Sequence, residues 1–75
     1  MAKLPSIRAR DVVRVAQSIG FVLDRQKGSH AVYLRASDKR RIVIPMHGTK
    51  DLKPGTLRGI INDMGLKVEE FAAKL

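Results

Sequence analysis

The chain reads as an α+β protein: a three-stranded antiparallel sheet in the order α-β-β-β-α, with the helices on one face, plus a short C-terminal helix. Three observations predict this. An apolar stripe at helical spacing comes first, three short β-type runs separated by turn residues follow, and a second helical stripe opens at a proline. Arg8 to Ile19 places Val12, Val15, Ala16 and Ile19 on one helix face, with Arg10, Arg14 and Ser18 on others. Gly20 supplies the stop, and Phe21 stands where a residue would fold back onto the last turn. Residues 21–26 read as the first strand and residues 30–35 as the second, joined through Lys27-Gly28-Ser29. Ser37-Asp38-Lys39 makes a polar turn, and residues 41–45, ended by Pro45, form the third strand of an antiparallel meander. An irregular segment from Met46 to Gly55 leads to a helix marked by Pro54-Gly55-Thr56, with Thr56 as its N-cap and Leu57, Ile60, Ile61 and Met64 as its stripe. Gly65 closes it. Val68 to Lys74 reads as a last short helix with Glu69 and Glu70 in the first turn, where the helix dipole favours acids. This arrangement leaves the second sheet face open to solvent or a partner.

Seventy-five residues are enough for one domain spanning 1–75 with a single core. The absence of cysteine excludes a disulfide framework and thiolate metal sites, so a reducing, cytoplasmic setting is expected. Met1-Ala2-Lys3-Leu4-Pro5 holds no apolar run resembling a signal peptide, and no stretch is long enough to enter a membrane. Charge is unevenly placed. Residues 1–60 carry thirteen Lys and Arg against four carboxylates, a surplus of nine, whereas residues 61–75 carry two against three. Such a body attracts polyanions by counterion release, so nucleic acid is the leading partner class, with simple solubility as the bland alternative.

The stretch with the most direct chemical content is Lys27-Gly28-Ser29-His30. Glycine lets the backbone approach a ligand, serine can donate to phosphate oxygens, and imidazole as a residue type moves protons near neutral pH. A plain hairpin turn followed by a histidine that merely starts a strand fits the same residues. Tyr33, the only tyrosine, either stacks on a base or packs on the sheet. Metal catalysis finds little support: Asp24, Asp38 and Asp51 are dispersed over a strand and two loops, Asp11 and Asp63 sit in different helices, and no His-x-His or paired-carboxylate spacing occurs. No metal and no cofactor is expected. RNA also needs neither, because its 2′-hydroxyl can attack the adjacent phosphorus once a base takes the proton, leaving a cyclic phosphate and a 5′-hydroxyl. Lys27, Arg25 and Arg41 are the candidates for electrostatic support, by proximity on neighbouring strands.

Five motifs in order resemble those of the HicA family of mRNA interferase toxins: Leu4-Pro5, Gly20-Phe21, Gly28-Ser29-His30, Pro45-Met46-His47 and Pro54-Gly55-Thr56-Leu57. The resemblance covers nearly the whole chain. It implies a fold similar to double-stranded RNA-binding domains, ribonuclease activity on mRNA, whether single-stranded or structured, and inhibition by a cognate HicB-type antitoxin. By the same resemblance His30 is the catalytic histidine and His47 holds the Pro-x-His position, where a loop histidine can orient RNA or cap the backbone as well as catalyse; Gly28 and Ser29 shape the turn under the phosphate or simply turn the hairpin. Many relatives carry a second histidine directly after the first. Ala31 occupies that place here, so any helper role for a second imidazole is absent.

Two other classes compete. A binding module would grip RNA without cutting it, but double-stranded RNA binders carry a basic cluster at the start of their second long helix, where this chain offers only Lys53 and Arg58. A pure interaction protein would use its basic surface for an acidic partner and leave His30 dispensable.

Overall fold

The computed structural model describes residues 6–46, Gly48 and residues 50–75; Leu4-Pro5 and His47 therefore lie outside the described residues. The element order is α1 (Ala9–Ser18), β1 (Val22–Lys27), β2 (His30–Arg35), β3 (Arg40–Pro45), α2 (Pro54–Asp63) and α3 (Val68–Ala73). The strands form one antiparallel sheet in the order β1-β2-β3, as the sequence predicts.

Both long helices end by the same physical device. Gly20, at φ +98°, donates its N–H to Gln17 O at 3.2 Å, and Phe21 donates to Ala16 O at 3.0 Å. Gly65, at φ +83°, and Leu66 repeat the pattern on Asn62 O and Ile61 O. These are Schellman closures, which satisfy carbonyls that the helix leaves without partners and need a residue free to enter the left-handed region. The start of α2 differs from expectation. Lys53, not Thr56, is the N-cap, and its carbonyl accepts from Leu57 N at 2.9 Å. Pro54 explains the shift: its missing N–H and fixed φ suit the first helical position, so the helix begins there and Thr56 falls inside the first turn.

One apolar cluster joins the sheet to the helices. Val12, Val15 and Ala16 of α1, Ile60 and Ile61 of α2, and Phe71 of α3 pack with Phe21, Ala31, Tyr33, Ile42 and Ile44. Alternation along the strands decides which residues enter it. In β2 the register pairs Ala31 with Ile44 and Tyr33 with Ile42, and these face the helices. His30, Val32 and Leu34 therefore belong to the open face, with Lys27, Arg25 and Val22 opposite them on β1 and Pro45, Val43 and Arg41 opposite on β3. A bulge between Leu23 and Arg25 shifts the register of β1 by one residue, and the strand is exposed along its whole length.

At the far end of β2 from His30, Arg35 ties both helices to the sheet. Its Nη1 donates to Ile19 O at 3.0 Å and its Nη2 to Met64 O at 3.1 Å, the C-cap carbonyls of α1 and α2. The guanidinium lies 4.6 Å from the Phe21 ring centroid and grips Asp38 through Nε at 3.0 Å and Nη2 at 2.7 Å. Arg40 adds a bond to Asp63 O at 3.3 Å. Cations thus meet the negative ends of both helix dipoles. The Arg35 hydrogen bonds are the largest cause holding the Asp38 carboxyl down to about 2, from an ordinary value of 3.8.

Candidate active site and its basic cleft

Gly28 and Ser29 form a two-residue loop between β1 and β2, and only its first position has positive φ, +58° at Gly28. That is the pattern of a type II′ hairpin turn, whose twist matches the flanking strands. Gln26 braces it by donating to Gly28 O at 3.2 Å, and Met46 donates its N–H to Ser29 O, which fastens the loop to the end of β3. The turn makes Lys27 and His30 a directly opposed pair. Their side chains leave the same face of the sheet with Cβ atoms about 5 Å apart, as in any facing pair.

His30 is exposed, and it also borders a cleft of about 490 Å³ at this end of the sheet. The sheet contributes His30 and Pro45, while the connection after β3 and the first turn of α2 contribute Lys50, Asp51, Leu52, Lys53 and Thr56. A short pairing fixes that connection: Leu52 donates its N–H to Ile7 O at 2.8 Å, and Arg8 and Asp51 form an antiparallel bridge. The Arg8 guanidinium stands 3.9 Å from the Asp51 carboxylate, and the buried Leu52 side chain anchors the segment in the core. Two lysines and a histidine thereby meet around one depression.

The expected site residues separate into groups. His30, Lys27, Gly28 and Ser29 are brought together at the hairpin, and Arg25, opposite Val32, lies one step along the same face. Arg41 is opposite Leu34, four residues along β2 from His30, a separation of about 13 Å at the usual strand rise. It belongs to the far end of the face and does not flank the histidine. Tyr33 is corrected as a base-stacking candidate: at 6% exposure it is in the core, because odd-numbered β2 residues face the helices. Ala31 is buried for the same reason, so a side chain there points away from His30. Lys50, Asp51 and Thr56 were not legible as site residues, since nothing in their local spacing reports that the β3–α2 connection folds back to the start of β2. Among the described residues no three His, Cys, Asp or Glu side chains converge on one point.

The open face also carries apolar surface. Val22 is 68% exposed and its partner Leu34 38%, whereas Val32, one step along the face toward His30, is covered by its neighbours without joining the core cluster. No helix among the described residues is long and apolar enough to cross a membrane.

No match was found among curated proteins. Residues 9–66 match the family model described as the HicA toxin of bacterial toxin–antitoxin systems, a span that runs from the first residue of α1 through the closure of α2. Together with the hairpin histidine and the α-β-β-β-α order, this establishes that the chain belongs to the HicA toxin family.

Proposed function

We propose that the chain is a ribonuclease that cuts mRNA through His30 without a metal ion, in the cytoplasm, and that a HicB-type antitoxin restrains it. The observation that carries this reading is an exposed histidine at the edge of a cleft that also holds Lys50 and Lys53, with Lys27 directly across the hairpin. In the proposed step the 2′-oxygen attacks phosphorus and the bond to the 5′-oxygen breaks. The 2′-hydroxyl proton leaves to a base and the 5′-oxygen gains one, so a 2′,3′-cyclic phosphate and a 5′-hydroxyl result. His30 moves one of these protons, a role worth about 10²–10⁴-fold for one positioned group. Lys27 and, farther out, Arg25 stabilise the charge that builds on the phosphoryl oxygens. His47, beyond the described residues, is assigned to orienting the RNA. Dispersal of the carboxylates motivates the metal-free reading.

Inhibition follows from the same face. Val22 and Leu34 offer apolar area beside Arg25 and Arg41, a mixture suited to a protein surface that presents apolar and acidic groups. An antitoxin seated there would cover His30 and take up charges that RNA needs.

The deciding experiment compares the wild-type chain with His30→Ala for cleavage of one RNA and for growth on induction. The variant should keep its circular dichroism and melting temperature, lose at least about a hundredfold in rate, and no longer arrest growth. A folded variant that cuts at the wild-type rate refutes the assignment. Wild-type protein that binds RNA and never cuts it replaces the enzyme with a binding module.

A further inference from the structure

We infer that Lys50 and Lys53 are the second phosphate grip of the His30 cleft, holding the RNA backbone on the β3 side of the histidine while Lys27 holds it on the β1 side. The inference rests on the ribonuclease reading and adds to it the residues that fix where the strand enters. Strand order places Lys27 and the β3–α2 connection on opposite sides of β2, so His30 stands between two sources of positive charge. A chain passing over His30 meets both.

The two lysines are free to act on an anion. Both are exposed, and among the described residues neither forms an ion pair. The carboxylate between them, Asp51, would by itself repel phosphate, but it is drawn toward Arg8 by the bridge and the 3.9 Å contact. The segment that follows Lys50 is held: Asp51 bridges Arg8, Leu52 is buried and bonded to Ile7, and Lys53 is the N-cap of a helix that opens at Pro54. Flexible cationic side chains on a fixed base suit a backbone contact that must tolerate any base sequence. A volume of about 490 Å³ is within the range of small-ligand pockets, enough for a nucleotide-sized group beside the imidazole.

The test uses Lys50→Ala/Lys53→Ala, with Lys67→Ala/Lys74→Ala, at the two ends of α3 and not among the residues lining the cleft, as a control of equal charge loss. Binding is read by fluorescence anisotropy on a 2′-O-methyl RNA oligonucleotide, which cannot be cut by 2′-oxygen attack, across a salt series; cleavage is read on the unmodified RNA. The slope of log affinity against log salt should fall in magnitude by about 1.4, two contacts at about 0.7 each. KM should rise while kcat changes much less, the control should match wild type, and Lys50→Arg/Lys53→Arg should restore the slope. Equal loss in the control, or a wild-type slope and KM in the cleft variant, overturns the grip. So does a cleft variant that handles RNA normally but no longer binds the antitoxin, which would make this wall a protein interface. His30→Ala run beside them separates the failures: cleavage that survives its loss refutes the ribonuclease reading, whereas cleavage that needs His30 but ignores the lysines refutes only the grip.

Discussion

Replacing Arg35 with alanine should destabilise the fold by about 3 kcal/mol, although the residue is remote from His30. The substitution removes the hydrogen bonds to Ile19 O and Met64 O, at 3.0 and 3.1 Å, and the stacking on Phe21 at 4.6 Å. A side chain only 18% exposed makes these bonds, so water replaces them poorly. With about 1 kcal/mol for each carbonyl bond, 0.5–1 for the cation over the ring and the remainder from lost packing of the side-chain stem, about 3 results. A domain of this size has roughly 4–11 kcal/mol of total stability, so the loss is a large share. The melting temperature should fall by about 12–24 °C, and urea titration should move the midpoint with little change in slope. Arg35→Lys should recover only part of it, because one ammonium cannot fork between two helix ends. Below its melting temperature the alanine variant should still cut RNA, since the hairpin and cleft lie at the other end of β2. A loss under about 1 kcal/mol would show that the two helix ends are held by the apolar core alone and would refute the clamp.

The Asp38 carboxyl, depressed to about 2 by its Arg35 hydrogen bonds, contributes stability that is complete above its ordinary value of 3.8 and is lost as pH falls through about 2. Melts between pH 5 and 2 should therefore drop more steeply for wild type than for Asp38→Asn; parallel curves would contradict the linkage. Cleavage should persist in excess EDTA, and loss that magnesium restores would overturn the metal-free reading. Purified toxin–antitoxin complex should neither bind nor cut RNA; a complex as active as the free toxin would exclude occlusion of His30.

Local pattern was enough for much of this molecule. The spacing of Val12, Val15, Ala16 and Ile19, the Gly20-Phe21 and Gly65 stops, and the alternating runs around Gly28-Ser29 determine the six elements and the meander, because helix closure and hairpin pairing are settled within a few residues. The nearness of Lys27 to His30 at the hairpin was legible for the same reason, although the turn is one residue tighter than the expected Lys27-Gly28-Ser29 connection, so that Lys27 ends β1 and pairs with His30. At the start of α2 two local signals competed, and the fixed φ of Pro54 prevailed over the capping preference of Thr56. The sidedness of the sheet needed the tertiary structure: Tyr33 and Ala31 face inward only because the helices cover that side. The second wall of the cleft needed it too: the sequence offered Lys53 only as part of a sparse basic start to α2, and Lys50 and Lys53 come to line one cleft with His30 through the pairing of Leu52 with Ile7 and of Asp51 with Arg8. Those partners lie more than forty residues apart, and only the packing of both helices on one core brings them together.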